Sequence, residues 1–510
     1  MADAIRFPGV NIEERGHDVP DIIGVPTSTG LFVGWNGRGP LDEAVRVDSF
    51  AAFGRAFGGL DPRSLLGYSV QHFFDNGGRD AWVVRLAAPD AAAAQATLGA
   101  GVTVDARSPG AWANRYKIRT TRDAASVPPS FRLEVLDGSA GDAIVETHAN
   151  LSLRRRDPGF ASDVVNSHSE IVRLTVKRSG VPPTDRTLFL GRTTAQANPV
   201  VRPASRAGAD GRVLAPADAD FHAALLARVG SGSVTDRIDL FNLLCVPGLA
   251  HAPTLASLQA ECRRRRAFLI IDAPPTATVG RMASEGTVGL DGQDASFSAL
   301  YFPWVRTTDP APGGVERDFP PSGGIAGVMA RTDAQRGVWK APAGSDARLA
   351  STVGLTARMR DSECGQLNSL GINCLRTLPA GGNVIWGART LQGRDDQGSE
   401  WKYIPVRRMA LFVEESIHRG TRWAAFEPNG EALWAKLRLA IDGFMHNLFR
   451  QGAFPGSSAR EAFFVKCDAE TMTRDDISNG IVNIQVGFAP LRPAEFVVLR
   501  IRQRAGNGTA

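Results

Sequence analysis

Paired cysteines are missing from this sequence: its five cysteines stand at 245, 262, 364, 374 and 467, with no CxxC spacing. Neither a zinc knuckle nor a disulfide framework is indicated, and reduced, buried thiols are expected. No run of about 18 apolar residues is present to span a bilayer. The opening "MADAIRFPGVNIEERG" lacks the basic-then-apolar pattern of a signal peptide, so synthesis and folding in the cytoplasm are expected. The eight histidines never occur as HxH or HExxH, which leaves two-histidine metal ligation without local support. "DGQD" at 291–294 lacks the further acidic positions of a calcium loop. "GWNGRGP" and "GSGSV" contain glycines, but without the spacing of a phosphate-binding loop or a dinucleotide turn. A GxSxG nucleophile elbow is also absent. The expectation is therefore no catalytic, metal or cofactor site.

What is present is bulk for several cores. The chain has 510 residues, 43% of them apolar, and about three domains follow from that length. A formal charge of +5 and a pI near 9.1 are mild at this size and do not argue for nucleic acid. The arginine runs at 154–156 and 263–266 have no interleaved aromatics, as a single-strand binder would need. The second run reads as a helix end, where cations meet the negative pole of the helix dipole.

The chain reads as a multidomain α/β protein. Residues 1–20 form an extended arm around "FPGVNIEE". Residues 21–90 and 230–360 make a discontinuous α/β domain, because "RIDLFNLLCVPGLA", "PTLASLQAECRRRR" and "AFLIIDAP" give strand, helix and strand in a parallel βαβ unit. Residues 91–229 are a β-rich insertion of short strands cut by Pro, Gly and Asp. Residues 361–490 form a carboxy-terminal α/β sandwich in which Val482, Ile484, Val486 and Phe488 share one strand face. In 491–510, Pro490 and Pro493 isolate the strand-like run from Phe496 to Arg502 from the strand before it.

Several phrases in order resemble the contractile tail sheath family of myophages, R-type bacteriocins and extracellular contractile injection systems. They include "FPGVNIEE", "GVPTSTGLFVGWNGRGPLDEAVRVDSFAAFGRAFGG", "RRRRAFLIIDAP", "YFPWVRTTDP", "LNSLGINCLRTLP", "VIWGARTL", "EWKYIPVRRMALFVEESI", "RWAAFEPN", "FFVKCDAETMT" and "FAPLRPAEFVVLRI". With the segments they bracket, the full ordered set spans about three quarters of the chain. The resemblance implies a structural, non-enzymatic subunit that polymerises as a helical sheath of six-fold rings. That sheath would surround an inner tube and contract to drive it through a target envelope. It implies baseplate and tail terminator proteins as partners, no nucleic acid, no direct membrane insertion and no cofactor. Assembly would occur in the bacterial cytoplasm, giving a phage tail or a phage-tail-like particle that can be released.

It also gives the termini a role, with neighbouring subunits completing one another's carboxy-terminal sheets by strand exchange. The candidates are Phe7, Val10 and Ile12 in the amino-terminal arm, and Phe496, Val497, Val498, Leu499 and Ile501 in the carboxy-terminal arm. Trp434, Leu437, Ile441 and Leu448 have helical spacing and should face a core. This leaves Lys436, Arg438 and Arg450 as candidates for contact with the tube. The competing reading is a hydrolase, using Cys364 or a site in the insertion, or a surface-binding protein with its site in the insertion.

Overall fold

Apolar runs that do not alternate build the larger of two compact units. The computed structural model describes residues 20–99, 101–123, 125–178, 181–191, 205–310, 314–379 and 381–495. One unit is Thr27–Arg336 with Ala341–Arg407; among the described residues the other gathers 20–26, Gly337–Lys340 and 408–495. In the first, eight strands form one sheet: β1 (Gly30–Trp35), β2 (Val45–Val47), β3 (Ala81–Leu86), β4 (Leu243–Cys245), β5 (Phe268–Asp272), β6 (Ser298–Phe302), β7 (Ile372–Leu378) and β8 (Gly382–Ile385). Their spatial order is β8-β7-β6-β5-β4-β1-β3-β2. The six inner strands run parallel, and β2 and β8 are antiparallel edges. Residues of β1, β4, β5 and β6 are buried throughout, as strands covered on both faces must be.

Helix α1 (Leu65–Asp75) is capped by Ser64, whose hydroxyl accepts from the Leu66 amide. Helix α2 (Ala252–Arg265) links β4 to β5 and ends in the arginine run, with Arg266 left-handed at φ 50°. Arg264 pairs there with Glu261 at 2.7 Å and Asp236 at 2.8 Å. Helix α3 (Ser322–Arg336) lies against α1 because it offers glycine where the backbones meet. A Cβ on Gly323 would stand 2.2 Å from the Ser69 carbonyl oxygen, and one on Gly327 would stand 2.4 Å from that of Phe73.

Asp272, at the end of β5, fastens these parts. Its carboxylate accepts from the Ser322 amide at 2.8 Å, the Ser322 hydroxyl at 2.7 Å and the Gly248 amide at 3.0 Å. Burial pushes the carboxyl up to about 6, against the opposing pull of those bonds. On β3, buried Arg85 donates to the carbonyls of Asn36, Gly39 and Pro109 at 2.6, 2.6 and 2.9 Å. It thereby ties the loop after β1 to the start of the inserted region, and desolvation lowers its pKa to about 10.

The inserted region consists of two four-stranded antiparallel sheets. One runs in the order Arg186–Phe189, Tyr116–Asp123, Ser130–Asp137 and Ala143–Leu151. The other runs Ser205–Arg206, Gln95–Gly99, Val102–Ala106 and Val172–Val176. Both sheets contribute to one core that includes Ile118, Leu133, Val104 and Leu174.

Two expected boundaries need correction: residues 21–26, expected in the discontinuous α/β domain, belong to the smaller unit, and the other boundary is at 361. The sequence assigns 361–490 to a separate carboxy-terminal domain, yet β7 and β8 belong to the large sheet. β7 pairs parallel with β6, from Leu300↔Ile372 to Phe302↔Cys374. The physical reason lies in "INCL": Ile372, Asn373, Cys374 and Leu375 are all buried, which suits a strand covered on both faces. The larger unit continues to Arg407.

The smaller unit is built on α4 (Ile404–Gly420), from Arg408 onward, and on α5 (Glu431–Arg450). Its core includes Ile22, Met409, Val413, Ile441, Phe444, Met445 and Phe463. The segment at 20–26 is seated on α4. Ile22 is buried, the Val25 amide donates to the Ser416 hydroxyl at 3.1 Å, and a Cβ on Gly24 would meet the Phe412 ring at 2.8 Å.

Candidate functional site

The helix α5 sorts its residues by angle. Leu433, Trp434, Leu437, Ile441, Met445 and Leu448 are buried, while Lys436, Leu439, Gly443, Asn447 and Arg450 form an exposed stripe. Lys436 and Arg450 lie at opposite ends of that stripe, 14 residues apart, on nearly the same face of the helix. Arg438 lies elsewhere: half-buried, it donates to the Cys467 carbonyl at 3.0 Å.

Beside α5 lies a sheet of two strands, β9 (Phe463–Lys466) and β10 (Gln485–Phe488), paired antiparallel from Phe463↔Phe488 to Lys466↔Gln485. Its apolar face rests on Phe454, whose ring lies 6.0 Å from that of Phe463 and 5.6 Å from that of Phe488. Two strands alone are marginally stable, so packing on α5 holds them. The Ala489 amide donates to the Ala462 carbonyl at 2.8 Å. With that register, Phe464/Gly487 and Lys466/Gln485 are the hydrogen-bonded pairs, and the backbone groups of Phe463, Val465, Val486 and Phe488 point to the outer edges. The Phe463 amide caps the preceding short helix through the Ala459 carbonyl. Among the described residues, the remaining outward groups have no backbone partner. Each edge is thus a template for another strand.

The candidates Phe7, Val10, Ile12, Phe496, Val497, Val498, Leu499 and Ile501 lie outside the described residues. Val482, Ile484, Val486 and Phe488 pack against cores as their alternation suggests, although the strand itself covers only Gln485–Phe488. Cys364 is buried, and the neighbouring Cys374 thiol lowers its pKa from the ordinary thiol value. Among the described residues no helix is long and apolar enough to cross a membrane.

Residues 238–391 match the family model for the phage tail sheath protein central domain, and 396–504 match that for the phage tail sheath C-terminal domain. The chain belongs to the phage tail sheath family. The first matched segment includes β7 and β8, in keeping with their place in the large sheet. This tail sheath chain is 24% identical over 280 residues to a prophage major tail sheath protein of Pseudomonas aeruginosa, covering 52% of the chain and 67% of that protein. Its fold is similar to the sheath of PVC, an extracellular contractile injection system, in the contracted state. The TM-score is 0.58, with 23% identity and 99% coverage of each chain. A chain of the anti-feeding prophage baseplate also gives a TM-score of 0.58, with 22% identity and coverage of 98% and 100%. The family is a structural one, and this does not favour the hydrolase reading.

Sequence reasoning missed the pattern of outward-facing groups on β9 and β10. Alternation identifies the covered side-chain face of a strand, whereas the hydrogen-bonding phase depends on its partner's register. It also passed over Phe426 in "RWAAFEPN". This side chain is fully exposed on a left-handed backbone at φ 72°. Only coordinates reveal that combination, since phenylalanine rarely adopts it.

Proposed function

We propose that this sheath protein polymerises as a helical lattice around an inner tube and contracts to drive that tube through a cell envelope. The observation that carries the assembly part of this reading is the two-stranded sheet β9–β10, whose outward backbone groups, apart from the Phe463 amide, have no backbone partner among the described residues. In the lattice, Phe7, Val10 and Ile12 of one neighbour would supply a strand to one edge. Phe496, Val497, Val498, Leu499 and Ile501 of another would supply a strand to the other. The intersubunit bonds are then ordinary sheet bonds, each worth about 0.5–1.5 kcal/mol net.

Contraction is the passage of a kinetically trapped lattice to one with more lateral contact, and many subunits sum small gains. The exposed stripe of α5 is the tube-facing surface, with Lys436 and Arg450 as its cations. Screened, exposed charges give a contact weak enough to break during sliding. Arg438, held by Cys467, is the least available of the three candidates. Baseplate and terminator proteins would meet the sheath at its ends. Assembly would take place in the bacterial cytoplasm and yield a tail or tail-like particle.

Deleting 1–15 or 494–510 tests the strand-exchange part. Each variant is expected to be a folded subunit that forms no cylinders by electron microscopy. Normal cylinders from either truncation would refute it.

A further inference from the structure

The loop between α4 and α5 presents Phe426 in a way that packing within its own unit does not explain. Its side chain is fully exposed, and its backbone is held at φ 72°, a conformation that a bulky residue adopts only where the surroundings fix it. Those surroundings are visible. Asn429 accepts from the Trp434 indole at 2.8 Å and donates to the Ile481 carbonyl at 3.1 Å, while the Glu427 amide donates to the Ala424 carbonyl at 3.2 Å. The Asn429 bond sets the loop against a turn that bears two more exposed apolar side chains, Ile477 and Ile481. The result is an exposed aromatic knob on an anchored loop.

The chain also contains a hole. At the end of the parallel sheet a cavity of about 110 Å³ opens among Leu255, Ile271, Met282, Leu290 and Leu300, with exposed Val288 at its mouth. The oxygens of Asp272 at its base already have their hydrogen bonds, so an apolar group would strand no polar atom there. An engineered core cavity of about 150 Å³ takes up benzene, which sets the scale for a phenyl ring entering an open-mouthed site of this size. Arg281 stands at the rim, paired with Glu285 at 3.4 Å.

We propose that Phe426 of one subunit seats in this cavity of a second copy of the chain. Knob and hole come from different stretches of sequence, and in the polymer proposed above each subunit gives its knob to one neighbour and its hole to another, which makes the contact heterologous. Repeated, it generates a ring or an open helix rather than a closed pair. The occupant is a second copy because this chain supplies the matching receptor, and because an apolar plug suits a contact that persists better than one that slides. The inference rests on the polymerising subunit proposed above and names one of its contacts.

The test places the photo-crosslinker p-benzoylphenylalanine at position 426 of the full chain, irradiates assembled cylinders and maps the products by mass spectrometry. Crosslinked dimers joined through peptides from 250–300 are expected. Crosslinks to 1–19, to 496–510 or to a different protein overturn the proposal. In parallel, Phe426→Ser and the cavity-filling Ala277→Phe are each expected to raise the critical concentration for assembly roughly tenfold or more, as loss of a buried phenyl implies. The Phe426→Ser subunit should keep its thermal midpoint. Wild-type yields of cylinders from Phe426→Ser overturn the contact alone. A wild-type chain that forms no cylinders overturns the polymer reading together with it.

Discussion

Proline at position 486 should separate assembly from folding. The Val486 amide points to the outer edge of β10, whereas the neighbouring Gln485 and Gly487 carry the ladder to β9. Val486→Pro therefore removes a donor needed only by an incoming strand and leaves the internal pairing intact. The outer edge of β10 offers two residues, Val486 and Phe488, each with one donor and one acceptor. At about 0.5–1.5 kcal/mol per bond, a docked strand gains about 2–6 kcal/mol there. The proline ring also holds the incoming strand away from its neighbours, so at least the lower figure should be lost. About 2 kcal/mol corresponds to roughly a 30-fold rise in the critical concentration for assembly. Val465→Pro asks the same of the β9 edge, and Gly487→Pro, which breaks the internal ladder, is the folding control. The assay is sedimentation across a concentration series, with electron microscopy of the pellets and thermal melts of the subunits. If Val486→Pro and Val465→Pro both assemble at the wild-type critical concentration, the edges are not docking sites and the reasoning fails.

Two further predictions concern the larger unit. His72 on α1 is buried, which lowers its pKa from 6.5 to about 4. As pH falls, the unfolded chain takes up that proton first, so the stability present above pH 6.5 is lost between 6.5 and 4, by roughly 3 kcal/mol. Asp272 acts oppositely: its folded pKa is raised from 3.8 to about 6, so stability is lost as pH rises through that window. His72→Phe should remove the acid loss and leave the unit more stable near pH 4.5 than at pH 7; an unchanged pH slope in chemical denaturation would count against the assignment. Gly327→Ala should cost about 1–3 kcal/mol by forcing α1 and α3 apart. By contrast, Gly365→Ala, in a helix where a Cβ meets nothing within 4 Å, should gain a few tenths to about 1 kcal/mol. Equal thermal shifts for the two alanines would remove the close-approach argument.

The parallel sheet was legible because "LLC" and "FLIID" are apolar without alternation, and burial on both faces leaves that mark. The same mark in "INCL" reads as the start of a new domain, because local pattern says how a strand is covered but not which sheet covers it. The buried face of α5 followed directly from helical spacing. The commitment of Arg438 did not, since its partner is the Cys467 carbonyl, 29 residues away. Backbone partners leave no trace in residue type. Asp272 was equally invisible: a carboxylate beside an apolar run reads as a strand end, and its three donors come from 24 and 50 residues away.

The seating of 20–26 on α4 determines which part of the protein bears a pull. Under strand exchange, tension in the amino-terminal arm reaches Ile22, Gly24 and Val25 first, and these are seated on Gly420, Phe412 and Ser416 respectively. Thr27 and the large sheet come afterwards in the chain. Load would therefore pass from one subunit's arm into the same small unit that receives its neighbours' strands. Such a polymer would have a continuous tension member of small units, and a pull on an arm would meet Ile22, Gly24 and Val25 in the chain before it met the strands of the large sheet.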